Sequence, residues 1–355
     1  MREGNSQSAL TAVAKSAFRR FPRLFLPAAV VTLIAWFLCQ LGAFEVAKHC
    51  DSVWLSWTSP PPKSLGQGII SLFWNVINTW IAMKNEYDDH QWTLFPLVKG
   101  AMMVYVVLCG VAFMETKYRM LSAAMLYVYF YCCGEGNFSM QFFYGMLLCD
   151  ISQDTKIQTF IARHRMVATV MLPIFLISAG LFFCSFPAEN AHWTEWSSAL
   201  LRLRQYILPQ NLPLGDASIP WMYTGIGLDL IALGLQLSPL ARKILSNRFF
   251  LWFGKNSFAV YLTHGTMLRV VLARMLYGNF VPAYVEKKND AGELIPQEPM
   301  HLMGWAITAI AIPVWFVLVY VVAHLWTTYV DAWAARMSKR LEDHVFVKEE
   351  KSIMR

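Results

Sequence analysis

Long apolar runs alternate with short polar segments along almost the whole chain. A helix needs about 20 consecutive, mostly apolar residues to cross the hydrocarbon core of a bilayer. The runs predict eight membrane-spanning helices, of which the fourth is short, at residues 24–44, 97–115, 118–133, 138–149, 166–186, 220–238, 250–277 and 302–326. The pattern therefore predicts an all-α, polytopic transmembrane helical bundle.

The bundle is expected to occupy residues 23–326, between a basic N-terminal segment at 1–22 and a C-terminal tail at 327–355. Basic residues predict its orientation, because cytoplasmic segments of membrane proteins carry an excess of Lys and Arg. With an inside start, 19 basic residues lie in cytoplasmic segments, counting Arg119 at the edge of its span, and 7 lie in outer segments. Both termini are therefore predicted to be cytoplasmic.

A further apolar stretch at residues 66–83 is interrupted by Asn75 and Asn78. If this stretch crossed the membrane, every later span would be inverted and the charge asymmetry would be lost. We therefore expect an amphipathic helix on the outer or lumenal surface.

Composition agrees with a membrane protein, because 56% of the residues are hydrophobic and only 15% are charged. Soluble domains carry about 25% charged residues. Topology accounts for the net charge of +7, and neither nucleic-acid binding nor a phosphate-binding glycine loop is indicated. The cysteine spacing matches no metal site, so neither a metal nor a cofactor is expected. Cys50 lies in a polar outer loop, where a membrane-impermeant maleimide is predicted to label it.

Ionisable groups inside a membrane are costly, which makes Asp229 and His264 candidates for function. Ser257, Tyr261 and His264 recur at helical spacing and are predicted to share one face, lining a cavity or packing on polar partners. For Asp229, the alternative is a buried acid that is hydrogen-bonded to a neighbouring helix. Depth along the two spans places Asp229 and His264 near the middle of the bilayer, facing a polar interior.

A third candidate lies in the outer loop, where Asp89 and His90 are adjacent. A carboxylate beside an imidazole is suited to acid–base chemistry, whereas the alternative is a solvated loop anchored by Trp92. At the other end of the first span, Arg19, Arg20 and Arg23 form a basic cluster. The cluster is either an orienting signal or a site for the phosphates of a nucleotide-bearing acyl donor.

Four segments together resemble the acyltransferase-3 family of multipass membrane acyltransferases, especially its fungal branch. They are AFRRFPRLFLP at 17–27, YDDHQWTL at 87–94, FFYGMLLCD at 142–150 and LWFGKNSFAVYLTHG at 251–265. The resemblance implies acyl transfer from a donor such as acyl-CoA, used as a co-substrate, to a hydroxyl of a small molecule or sugar. The catalytic residues are expected among His264, His90 and Asp89, because these are the imidazole and carboxylate groups suited to acid–base chemistry. Donor or substrate binding is expected from Arg19, Arg20, Arg23, Tyr261, Ser257 and Asp229.

Two departures from the family pattern bear on activity. Family members usually carry an earlier helix with an Arg followed by a His, the proposed base, and about two N-terminal spans are expected to be missing here. Leu97 also occupies a position where the family usually has Glu. Either the chain is truncated or inactive, or His264 or His90 has taken over as base. A membrane permease or binding protein remains the alternative to an enzyme.

Overall fold

The computed structural model describes residues 3–133, 138–207, 219–281, 287–288, 294–295 and 298–346. They are almost entirely helical, as the apolar runs predict, apart from the two-residue antiparallel strands β1 (Lys287–Lys288) and β2 (Leu294–Ile295). Each predicted span coincides largely with helix. The all-α class is therefore confirmed.

The chain divides into two compact units, which we describe separately. Unit 1 comprises Met1–Ala17 and Lys99–Leu251, and unit 2 comprises Phe18–Val98 and Trp252–Arg355. Helix α1 (Glu3–Gln40) begins in unit 1 and continues into unit 2.

Unit 1 contains most of α5 and then a series of helices joined by short connections. Its helices are α5 (Leu94–Val111), α6 (Thr116–Cys132), α7 (Ser139–Gln153), α8 (Thr155–Arg163), α9 (Leu172–Cys184) after a π-turn at Val167–Met171, α10 (Glu195–Ile207), α11 (Ile219–Leu237) and α12 (Pro239–Leu245). A bend of 97° separates α11 from α12. It occurs where Ser238 caps α12 and Pro239 lacks the amide hydrogen that would continue α11.

Two kinds of contact hold unit 1 together. Helices α9 and α11 cross at Gly180 and Gly227, where a Cβ atom on either residue would lie 2.6 Å from the other's carbonyl oxygen. Small residues allow helices to approach this closely in membranes. Helices α6 and α7 are joined by Arg119, whose Nε and one terminal nitrogen donate to the Asp150 carboxylate over 2.6–3.0 Å.

Unit 2 combines the rest of α1 with the connecting segment at residues 41–93 and the last helices. These elements are α2 (Glu45–Lys48), α3 (Val53–Ser56), α4 (Leu65–Ile81), a 3-10 turn at Asp89–Thr93, α13 (Arg248–Met267), a π-turn at Leu268–Leu272, α14 (Ala273–Tyr277), α15 (Trp305–Trp326), a π-turn at Thr327–Asp331 and α16 (Ala332–Val345). Its largest apolar cluster contains Leu24, Val31, Trp80, Leu94 and Leu262. Helix α13 therefore packs with α1 and with the start of α5.

Among the described residues, four helices are long and apolar enough to cross a membrane, or five if α11 and α12 form one bent span. The four are Leu10–Gln40, Asp89–Val111, Val167–Cys184 and Trp305–Val345. Helices α6 and α7, with 17 and 15 residues, are short, and α13 carries Lys255 among its charges. The count of eight spans therefore stays a prediction.

Residues 66–83 do form a helix, α4, with two distinct faces. Gly68, Asn75 and Thr79 are buried, while Ile70 and Phe73 are exposed. The exposed face is thus apolar and the buried face contains polar residues, and the location of α4 at the membrane surface stays a prediction.

The expected accessibility of Cys50 is wrong. Its side chain is buried, with 5% of the residue exposed, and its thiol donates to the Val46 carbonyl oxygen at 3.2 Å. Burial, together with the neighbouring charge of Asp51, raises the pKa of the thiol to about 11. Because thiolate is the reactive form, Cys50 is protected from maleimide both sterically and chemically.

Candidate active site

The connecting segment of unit 2 is held in place by Asn85, which is fully buried. Its amide nitrogen donates to the hydroxyls of Thr32 and Thr79, each at 3.0 Å. Its amide oxygen accepts the backbone N–H groups of Tyr87 and Asp88 at 3.1 and 3.2 Å. An Asn side chain that bonds the backbone just after it fixes a turn. Asn85 therefore sets the conformation of the chain that carries Asp88.

Asp88 is fully buried and is held at both of its carboxylate oxygens. Gln91 donates to Oδ2 at 2.9 Å, and Gln91 in turn accepts from Thr32 at 3.2 Å. Oδ1 lies 3.1 Å from Nδ1 of His90, an ion-pair contact rather than an aligned hydrogen bond. Burial raises the pKa of Asp88 to about 7, although the bond from Gln91 and the charge of Arg269 oppose this shift.

His90 lies between Asp88 and His264. A carboxylate beside Nδ1 favours the tautomer that carries its proton there, which leaves Nε2 as the basic nitrogen. Nε2 of His90 is buried and has no hydrogen-bond partner among the described residues. A buried, unpaired polar atom is costly, and such atoms concentrate at functional sites. No hydrogen bond within the described residues therefore competes for this nitrogen.

His264 lies on α13 with its ring centroid 4.3 Å from that of His90. Nδ1 of His264 is 2.7 Å from the Tyr261 carbonyl oxygen, which can only accept, so this nitrogen carries the proton of the neutral ring. Nε2 of His264 is then a second unprotonated imidazole nitrogen. The site thus brings together two imidazoles and one carboxylate.

Helix α13 also fixes the position of His90. The Tyr261 hydroxyl donates to the His90 carbonyl oxygen and contacts the Thr93 hydroxyl. A Cβ atom on Gly265 would lie 1.9 Å from Cε1 of His90, so only glycine leaves room for the imidazole. The spacing of Tyr261, His264 and Gly265 in the fourth quoted segment therefore has a direct geometric reason.

Asp89 and Ser257, which the sequence also predicts at the site, lie in different surroundings. Asp89 is exposed and lines a cleft of about 340 Å³ with Trp57 and Glu86. The acid that faces His90 is Asp88 and not Asp89. Ser257 is exposed and its hydroxyl donates to the Gly254 carbonyl of its own helix at 2.8 Å. The predicted stripe therefore contributes Tyr261 and His264 to the site, but not Ser257.

Asp229 belongs to unit 1 and has its own set of partners. Its carboxylate accepts from the Tyr127 hydroxyl at 2.8 Å, and its backbone carbonyl accepts from Tyr144 at 3.0 Å. The residue is buried, with 4% exposed. This environment matches the alternative of a buried acid that is bonded to neighbouring helices.

In the basic cluster on α1, one of the three arginines forms a salt bridge. Arg19 pairs with Glu342 of α16 at 3.0 Å. Nε of Arg20 is buried and has no hydrogen-bond partner among the described residues, while Arg23 is exposed. Among the described residues, Arg19 is the member of the cluster that forms a salt bridge, which leaves Arg20 and Arg23 to contact a donor phosphate.

Sequence reasoning missed several residues that the structure places at the site. They are Asn85, Asp88, Gln91, Gly265 and Arg269. Two signals were present: Gln91 follows Asp88 by three residues, the period of a 3-10 turn, and Arg269 is an ionisable residue inside a predicted span. Among the described residues, no group of three or more His, Cys, Asp and Glu side chains is arranged to hold a metal ion.

Apolar spanning helices together with a histidine–carboxylate site define an integral membrane protein with the groups for acid–base catalysis. The acyltransferase-3 family, described as an acyltransferase domain, matches residues 9–330, and the chain belongs to this family. It is similar to the O-acetyltransferase PaAT-1 of Phomopsis amygdali, with 23% identity over 96% of this chain and 71% of the relative. No solved structure matches the chain.

Proposed function

We propose that this protein is a membrane O-acyltransferase that moves an acyl group from an acyl-CoA-type donor to a hydroxyl of a small molecule or sugar. Membership of the family supports acyl transfer in general. The observation that carries the mechanism is the state of His90, whose Nδ1 faces Asp88 while its buried Nε2 has no partner. The name of the relative makes acetyl-CoA the first donor to test.

In the proposed reaction, Nε2 of His90 takes the proton of the acceptor hydroxyl as its oxygen attacks the thioester carbonyl carbon. The carbon–oxygen bond forms and the carbon–sulfur bond breaks. The imidazolium then returns the proton to the departing thiolate, which leaves as free CoA. Asp88 orients the ring and stabilises the imidazolium, in the manner of the carboxylate in a catalytic triad.

His264 is the second candidate for the base, because its Nε2 is also unprotonated and its ring lies against that of His90. The two histidines are separable by substitution. A base contributes roughly 10²–10⁴-fold to the rate, so the histidine whose substitution costs more is the base.

The donor phosphates are proposed to bind at the cluster of Arg19, Arg20 and Arg23, with Arg20 and Arg23 as the principal contacts. Planar guanidinium groups form charge-assisted hydrogen bonds to phosphate. With both termini cytoplasmic, as the charge asymmetry predicts, this cluster would face the cytoplasmic pool of donor. Neutralising all three arginines in a correctly inserted protein should weaken binding of CoA.

The test uses the purified full chain with acetyl-CoA and a panel of alcohol and sugar acceptors. Release of free CoA thiol and the mass of the acylated product are measured. We expect turnover in the wild type, a loss of about 10²–10⁴-fold in His90→Gln, and a smaller loss in His264→Gln. His164→Gln is the control, because this exposed histidine contacts its own helix at the Phe160 carbonyl.

Binding of CoA without turnover on any acceptor would favour the binding-protein alternative. A His90→Gln variant with wild-type turnover would remove His90 as the base, and an inactive His264→Gln variant would assign the role to His264.

A further inference from the structure

Arg269 is a buried charge within helix-forming, largely apolar sequence, with only 7% of the residue exposed. It follows His264 by five residues and lies in the π-turn that joins α13 to α14. A terminal nitrogen of its guanidinium donates to the Tyr87 carbonyl oxygen at 3.3 Å. Tyr87 directly precedes Asp88, so this bond ties the helix of His264 to the segment that carries His90.

Burial of the charged Arg269 side chain costs free energy. A guanidinium cannot give up its proton in a protein, so its burial must be offset by partners. The carbonyl of Tyr87 offsets part of the cost, and Asp88 and Asp89 supply the nearby negative charge. Asp88 is itself buried, and its carboxylate is stabilised by the positive charge of Arg269.

We propose that Arg269 is a positioning residue for acyl transfer, one that holds the Tyr87–His90 segment against α13 and favours the ionised form of Asp88 beside His90. This inference rests on the proposed function, because it concerns the same site. Arg269 does not act on the reacting atoms. It acts through the backbone of Tyr87 and through the charge state of Asp88.

The groups that face this arrangement come from three elements. They are Asp88, Asp89 and His90 on the connecting segment, Tyr261 and His264 on α13, and Cys39 on α1, which lies near Tyr87. Among the described residues, Arg269 is the permanently charged cation whose charge acts on both Asp88 and His90. Its removal should therefore make protonation of the carboxylate–imidazole pair easier, which moves the acid limb of the rate profile to higher pH.

Arg269→Gln removes the charge and Arg269→Lys keeps it, while both retain a donor for the Tyr87 carbonyl. Arg274→Gln is the matched control, because Arg274 lies five residues further on and donates to the Val270 carbonyl of its own helix at 2.6 Å. We expect the acid limb of kcat to move up by about one pH unit in Arg269→Gln, which is a tenfold loss on that limb. Arg269→Lys should recover most of the shift, and Arg274→Gln should match the wild type.

A second measurement does not depend on turnover. Histidine labelled with ¹³C at Cε1 is followed by NMR against pH, and the His90 signal is assigned by its absence in His90→Asn. The midpoint of the His90 titration should move upward in Arg269→Gln and remain near the wild-type value in Arg269→Lys. Equal midpoints in all variants would overturn the proposal for Arg269. A shifted midpoint in a protein without turnover would instead support Arg269 and reject the proposed acyl transfer.

Discussion

Each unit contains a buried acidic side chain with a basic partner, but the two pairs differ in what they leave open. In unit 1, Asp150 receives three short contacts from Arg119, which occupy both oxygens. In unit 2, Asp88 receives one bond from Gln91 and touches an imidazole whose other nitrogen has no partner. A closed ion pair joins helices, whereas an open carboxylate–imidazole pair can transfer a proton.

The nature of the basic partner explains the difference. Arginine remains charged at every physiological pH, so Arg119 can neutralise Asp150 but cannot act as a base. Histidine changes charge near neutral pH, so His90 can accept a proton and return it. Burial of an acid is therefore not evidence of catalysis by itself, because structural ion pairs are buried too.

The comparison is tested most strongly by removing each carboxylate charge. Asp88→Asn should lower the turnover rate by about 10²–10⁴-fold, because the orienting charge for His90 is lost. Asp150→Asn should leave the rate per folded molecule near the wild-type value but destabilise unit 1 by about 1–3 kcal/mol, because it leaves the partly buried Arg119 without full hydrogen bonding. Turnover and thermal unfolding in detergent are measured on both variants. Loss of turnover in Asp150→Asn at full folded occupancy would contradict the assignment of roles.

The space around the two histidines provides a second test. Gly265→Ala places a methyl group where Cε1 of His90 lies, so the imidazole must move away from Asp88. A misplacement of about 1 Å in a catalytic group can cost roughly 10²-fold in rate. Gly254→Ala is the control on the same helix, since its added methyl group would meet no atom within 4 Å.

The two alanine variants should also differ in stability. In Gly254→Ala the rate should be unchanged, and the helix should gain up to about 1 kcal/mol from the better helix former. Near-normal turnover in Gly265→Ala would show that His90 does not need its present position, and would transfer the role of base to His264.

The sequence predicted the helices well because each apolar run must satisfy its own backbone hydrogen bonds, which makes helix the local solution. It did not predict which of two adjacent acids faces His90. That choice depends on the 3-10 turn at Asp89–Thr93 and on the capture of Asp88 by Gln91. The role of Arg269 depends on a partner 182 residues away in the chain, which no local pattern contains.

The smallest expected effect concerns a loop of unit 2 in which Asp51 links three segments. It accepts from the Tyr277 hydroxyl at 2.7 Å and contacts Nδ1 of His301 at 3.0 Å. The hydrogen bond to Asp51 raises the pKa of His301, whereas the bond from Tyr277 and then that from His301 lower the pKa of Asp51. A raised histidine pKa stabilises the folded loop below the ordinary histidine value, and this contribution is lost as the pH rises through the folded value.

For Asp51 the sign is reversed. A lowered pKa stabilises the folded loop above the ordinary Asp value of about 4, and this contribution is lost at lower pH. The loop contact should therefore be strongest between about pH 4 and 6.5, and weaker at pH 8. Hydrogen exchange of residues 49–55, corrected for intrinsic rates, should show less protection at pH 8 than at pH 6 in the wild type and no such difference in His301→Gln. His192→Gln, at an exposed position in a loop of unit 1, should behave as the wild type. The effect should be modest because the pair is exposed, and equal pH dependence in the wild type and His301→Gln would show that the contact does not hold the loop.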